Sequence, residues 1–97
     1  MAGYISLVRF TPQGIATIKD LPQRLDAVKQ AAEGIGVRVV GLWMTMGQYD
    51  LVAVFDAPDD QAMASLLLAL ARKGNGTSET MRAFSEDEIR AVVAKLP

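Results

Sequence analysis

Cysteine and histidine are both absent from the 97 residues. Without cysteine there is no disulfide framework, no thiolate nucleophile and no zinc finger. Without histidine there is no imidazole ligand for haem, no Ser-His-Asp triad, and no usual zinc or non-haem iron site. Catalysis, if any, would rest on Asp, Glu, Tyr, Lys, Arg or hydroxyl groups. An excess of either charge is lacking too: ten basic residues stand against eleven acidic, a formal net charge of −1. That excludes the clustered basic stripe by which proteins grip nucleic acid. No apolar run reaches the roughly 18 residues needed to span a bilayer. The most apolar stretch, Met63 to Ala71, is too short, and the chain opens into a strand-like segment instead of a signal-peptide core. The expectation is a soluble, cytoplasmic protein with no metal, no cofactor, and neither nucleic acid nor membrane as partner.

What is present suits a packed globule: 51% of residues are hydrophobic and 22% charged. The length predicts a single domain over 1–97, which buries only about 60–65% of the surface its unfolded chain exposes. Tyr4 to Phe10 reads as a first strand, dense in β-branched and aromatic residues. Thr11-Pro12 supplies a hydroxyl cap followed by proline at a first helical position, opening a short helix over Gly14 to Lys19. Pro22 restarts the helical pattern, and Leu25, Val28, Ala32 and Ile35 recur at three- and four-residue steps, with Arg24, Asp26, Lys29 and Glu33 between them. Gly34 and Gly36 end this helix. Strands follow at Val37 to Met46 and Tyr49 to Asp56. Pro58, Asp59 and Asp60 open a second long helix, whose buried face is Met63, Leu66, Leu67 and Leu70 and whose end is Gly74. Thr77 to Phe84 is a fourth, more polar strand. Ser85 and Glu88 form a capping box for a terminal helix striped by Ile89, Val92, Val93 and Leu96. The order β-α-β-β-α-β, with a helix appended, predicts an α+β ferredoxin-like sandwich with a four-stranded antiparallel sheet.

The segment Leu42 to Phe55 carries the most information. Gly47-Gln48 predicts a two-residue turn with a positive φ at Gly47. Trp43 then faces Val52 and Met44 faces Leu51. Alternation puts Val40, Leu42, Met44, Met46, Tyr49, Leu51, Ala53 and Phe55 on the side under the helices. Val39, Gly41, Trp43, Thr45, Asp50, Val52 and Val54 fall on the other side. Fully burying one Val-sized side chain contributes roughly 1.5–3 kcal/mol, so Val39, Trp43, Val52 and Val54 together approach the whole stability of a small domain, about 5–15 kcal/mol. A second copy, joined sheet to sheet about a two-fold axis, is the expected cover, as a homodimer or as part of a higher homo-oligomer. The terminal helix folding back over this face is the alternative.

Three segments together resemble the GYD-domain family. They are Tyr4 to Thr11 with Gln13-Gly14-Ile15; Thr45 to Val52 followed by Ala57-Pro58-Asp59-Asp60; and Gly74-Asn75 with Thr80 to Phe84. The likeness spans about positions 4 to 90. In this chain Gln48 stands between Gly47 and Tyr49-Asp50. The resemblance implies the dimeric α/β-barrel class and brings no established activity or catalytic residue.

The candidate ligand-binding residues are Trp43, Thr45, Tyr49 and Asp50: a carboxylate opposite a hydroxyl, flanked by an indole on an apolar face. Such a carboxylate can serve as a base when partly buried, or cap the turn amides while Trp43 fills an interface. Tyr49 is placed to donate to a ligand in the cleft between sheet and helices, or to be core with a wet hydroxyl. Met44, Met46, Met63 and Met81 are adaptable lining or plain filler. Arg9 and Arg82 suit an anion, or pairing with Asp and Glu. Thr77, Ser78 and Thr80 mark a half-exposed strand. Gly74-Asn75-Gly76 lacks the Lys-Ser/Thr of a phosphate loop, and Asp56, Asp59 and Asp60 lack the spacing of a calcium loop. The leading expectation is a homodimeric module that binds a small apolar or aromatic ligand between sheet and helices. The alternatives are a cofactor-free oxygenase- or isomerase-like enzyme using Asp50 or Tyr49, and a structural assembly subunit.

Overall fold

Strand β1 (Ala2–Phe10) runs through the middle of the molecule, and the other elements are arranged around it in the computed structural model, which describes residues 1–97. The elements that follow are α1 (Pro12–Ala16), a single 3-10 turn (Ile18–Asp20), α2 (Leu21–Gly34), β2 (Arg38–Met44), β3 (Leu51–Ala57), α3 (Asp60–Ala71), β4 (Gly76–Ala83) and α4 (Glu86–Ala94). The four strands form one sheet in the order β2-β3-β1-β4, every neighbour antiparallel. Helices α2 and α3 are the crossovers, so the fold is the ferredoxin-like α+β arrangement.

Local chemistry accounts for the boundaries. The Thr11 side chain caps α1 by accepting from the Gly14 amide, with Pro12 at the first helical position. Asp59 caps α3 through the Ala62 amide. Ser85 and Glu88 complete the capping box of α4. Gly36, Gly47 and Gly74 alone have positive φ, and they end α2, shape the β2–β3 turn and lead from α3 into β4. The core packs Tyr4, Phe55 and Ala53 of the sheet against Ala32, Met63 and Leu66 of the helices. Tyr4 stays satisfied there because its hydroxyl donates to Asp60 at the start of α3.

The hairpin departs from expectation in two ways. Trp43 does pair with Val52 and Met44 with Leu51. The strand ladder ends there, however: the Thr45 amide still donates to the Asp50 carbonyl at 2.8 Å, and Met46 to Tyr49 form a four-residue turn in place of the tight Gly47-Gln48 link. The Thr45 hydroxyl donates to the Tyr49 carbonyl at 2.6 Å across the base of this turn. Side-chain alternation therefore fails beyond Met44. Met46 is 98% exposed, and the Tyr49 hydroxyl reaches Glu79 instead of lying under the helices. Met44, near the free end of the edge strand, is exposed as well. Farther along β2, the register shifts by one residue between Val39 and Gly41. This bulge reverses the two valines: Val39 pairs with Phe55 and packs on the core, while Val40 is exposed.

Helix α4 does not return over the sheet. Its stripe stays bare, with Ile89 51%, Val92 51%, Val93 56% and Leu96 67% exposed. It is tied to the body by Arg82, which pairs with Glu88 at 3.3 Å and lies 4.5 Å from the centre of the Phe84 ring. The projecting helix lengthens the molecule to 52 Å, with a radius of gyration of 14.6 Å, against about 13 Å for a compact chain of this size.

Candidate functional site

The two faces of the sheet carry different chemistry. On the face away from the helices, the pairings line up Trp43, Val52, Leu7 and Glu79 in one row and Gly41, Val54, Ile5 and Met81 in the next. Apolar residues fill most of both rows, and no element of the chain covers them. Trp43 is 54% exposed. Its indole lies over Gly41, where an added Cβ would stand 2.4 Å from ring atom Cη2. The glycine provides the flat seat on which the ring rests.

The helix-side face holds an apolar cleft of about 140 Å³. Its floor is a run of small residues, Ala53 and Ser6 on neighbouring strands with Ser78 and Gly76 beside them, ringed by Leu42, Leu51, Val8 and Phe10. Leu21, Leu25 and Val28 of α2 and Leu67 and Leu70 of α3 form its sides. Small side chains where large ones would reach the helices leave the hollow. The Ser6 hydroxyl shares a hydrogen bond of 2.7 Å with Thr80.

One end of the cleft is polar. There Thr11 donates to the Gly74 carbonyl, and Gln13 donates to the Lys73 carbonyl and to the Asn75 side chain. These bonds clamp α1 onto the loop between α3 and β4. Gly14 permits the contact, since a Cβ there would stand 2.0 Å from the Asn75 carbonyl oxygen. Arg24 lies at this end: its Nη2 donates to the carbonyls of Gly14 (3.1 Å) and Thr17 (3.2 Å). Its Nε and Nη1 are buried without a partner, and Lys73 also lines the cleft.

The four residues singled out from the sequence do not line this cleft. Thr45, Tyr49 and Asp50 come together in the β2–β3 turn, and Trp43 lies on the open face. Asp50 accepts from the Phe10 amide at 2.8 Å, so its carboxylate continues the β1–β3 ladder past Val8 and Leu51 and does not cap the turn amides. Tyr49 lies beneath the Arg9 guanidinium, 4.8 Å from the ring centre. The hydrogen bond to Glu79 raises its pKa above the usual tyrosine value, with burial adding to the effect. No group of acidic residues is placed to hold a metal: Asp56 pairs with Arg38, Asp59 caps α3 and Asp60 accepts from Tyr4. No helix is long and apolar enough to cross a membrane.

Sequence reasoning misses Arg24 by grouping it with the solvated side of α2. Leu21, Arg24 and Val28 fall three and four residues apart, so the charge sits inside the apolar stripe, and this spacing is the available signal.

The sequence model of the GYD domain matches residues 4–93. A protein of Thermus thermophilus, named glutamine synthetase and cystathionine beta-lyase binding protein, is 36% identical over 85 residues, covering 87% of this chain and 90% of that protein. The crystal structure of TTHA0845, also from Thermus thermophilus, is similar with a TM-score of 0.55 at 23% identity, covering 88% of this chain and 95% of that one. This last likeness is one of fold.

Proposed function

This chain belongs to the GYD-domain family, and from that premise we propose that it is a protein-binding module, a homodimer that docks onto other proteins. The observation that carries this reading is the open sheet face, where exposed Trp43 and Met81 flank the partly exposed Val52, Leu7, Val54 and Ile5 in adjoining apolar rows. Patches of this kind mark association surfaces. A two-fold pairing of sheets covers the rows around Trp43 in both copies at once and gives the dimeric α/β-barrel arrangement, or the unit of a larger homo-oligomer. The α4 stripe then remains available to a different protein, as amphipathic helices are when their apolar side is unfilled. The relative's name supports protein partners: it is described as binding glutamine synthetase and cystathionine beta-lyase. Titrating the purified chain with those two enzymes from its own organism, by calorimetry and size exclusion, tests the reading. Saturable complex formation with either enzyme is the expected result. A chain that stays monomeric at high micromolar concentration and binds neither enzyme overturns it.

The cleft favours a second reading alongside the first, in which the module also holds a small apolar or aromatic ligand between sheet and helices. Apolar clefts with few polar groups at one end are the usual form of ligand sites. A cofactor-free enzyme gains less from the geometry, because Asp50 and Tyr49 are engaged with Phe10 and Glu79 away from the cleft.

A further inference from the structure

We propose that the cleft is a site for a small amphipathic carboxylate, its aryl or alkyl body lying over Ser6 and Ala53 and its carboxylate group paired with Arg24. This inference rests on the second reading above and specifies its ligand. Arg24 is the reason. A guanidinium keeps its charge at every pH a folded protein meets, so it cannot relieve its burial by losing a proton, as a lysine can. Burial of such a charge is favourable only when it is paired and its donors are satisfied. Arg24 as a whole is half-buried: two carbonyl dipoles engage Nη2, while Nε and Nη1 have no partner and meet a ligand in the cleft only when the side chain turns toward it. No Asp or Glu lines the cleft. The ion pairs of the protein join Arg38, Arg82 and Arg90 to their own carboxylates, and Arg24 is in none of them. The chain supplies no carboxylate to this guanidinium, and a carboxylate-bearing ligand in the cleft would supply one.

The rest of the cleft sets the body of that anion. Lys73 lines the same polar end, held close to Gly14 by the Gln13 and Asn75 contacts. Beyond it the lining is mostly apolar, with leucines on both helices facing the small residues of the sheet. The volume of about 140 Å³ matches apolar cavities of about 150 Å³ that take up benzene. One ring or a short alkyl chain fits, with a single charged group at one end.

Titration of the full chain, followed by calorimetry and by amide chemical shifts, compares phenylacetate with phenylacetamide and octanoate with octanamide. The expected result is that at least one acid binds about tenfold or more tightly than its amide, the scale of one charge-assisted hydrogen bond. Its shifts should centre on Ser6, Arg24 and Ala53. In Arg24→Met the preference should vanish while amide binding persists, and Arg24→Gln, which keeps donors for Gly14 and Thr17, should behave likewise. Equal binding of acid and amide by the unaltered chain overturns this inference and leaves the cleft reading standing. A preference that survives both substitutions also overturns it. Failure of all four compounds to move any cleft resonance overturns both. Should neither variant fold, the acid-to-amide ratio of the unaltered chain decides.

Discussion

Replacing Trp43 by alanine separates assembly from folding. The indole is 54% exposed and rests on Gly41, so its loss removes little that the single copy has buried. The stability of one copy should change by no more than about 1 kcal/mol, as for most exposed positions. Association is another matter. A tryptophan can remove up to about 250 Å² from water, and the exposed half of Trp43 is then about 130 Å². At about 25 cal/mol per Å², covering it contributes about 3 kcal/mol. A two-fold interface uses the residue twice, so the dimer should lose about 4–6 kcal/mol, a weakening of roughly a thousand- to ten-thousandfold. Sedimentation from nanomolar to high micromolar protein measures this directly. Trp43 is the chain's one tryptophan, so dilution of the unaltered protein should also red-shift its emission as the ring becomes wet. An unchanged dissociation constant in Trp43→Ala, or an unaltered chain that sediments as one copy throughout, would refute the reasoning.

Gly41→Ala tests the same surface without touching the ring itself. The new Cβ meets only the end of a side chain, so the indole swings aside at a cost of about 0.5–1.5 kcal/mol, and the dimer should weaken while the melting temperature barely falls. Gly14→Ala is more severe, because its Cβ meets backbone at 2.0 Å. Lifting α1 away forfeits the Thr11 and Gln13 bonds to the α3–β4 loop, about 2–4 kcal/mol at roughly 0.5–1.5 each, readable in denaturant unfolding. Glu88 titrates below the usual carboxylate range, first because the Ser85 amide bonds to it and then because Arg82 does. A lowered folded-state pKa favours the charged form in the native protein. The stabilisation is therefore complete above the unfolded value of about 4.3 and fades as pH falls through the folded one. Amide shifts of α4 should report that loss in acid, and Glu88→Gln should flatten it. Loss of α4 helicity at the same pH in both proteins would contradict the assignment.

The element order was legible because short-range chemistry writes it. Thr11-Pro12, Asp59, the Ser85–Glu88 box and the glycines at 36, 47 and 74 act within a few residues of themselves, and each does so in the fold. The bulge was not legible. Val39 and Val40 are the same residue type, and nothing local says which turns inward; the choice is made where Val39 meets Phe55. The width of the turn was hidden for a similar reason. Asp50 is drawn to the Phe10 amide, forty residues away along the chain, and that contact exists only once β1 lies beside β3. The cleft depends on register as well. Ser6 and Ala53 mean little singly and form a hollow only as neighbours on adjacent strands. Arg24 went unread although a local signal existed: its interval from Leu21 and Val28 places it on the stripe that faces the sheet.

Strand β1 shows why one small sheet presents two surfaces. Its even residues Ser6, Val8 and Phe10 line the cleft, while Ile5 and Leu7 lie in the open rows paired with Val54 and Val52. The strand is central, flanked by β3 and β4, and a central strand that is apolar on both sides belongs in a three-layer structure. This chain supplies two layers and sends α4, the only element left to make a third, away from the sheet. The helices that cover the inner side do so incompletely, because small residues replace large ones on the floor beneath them. Incomplete filling inside and no cover outside are separate features of the same alternating sequence. Enlarging Ala53 or Ser6 would fill the inner hollow, and making Ile5, Leu7 or Trp43 polar would suit an uncovered outer face; either change is local and leaves the ladder of backbone bonds intact.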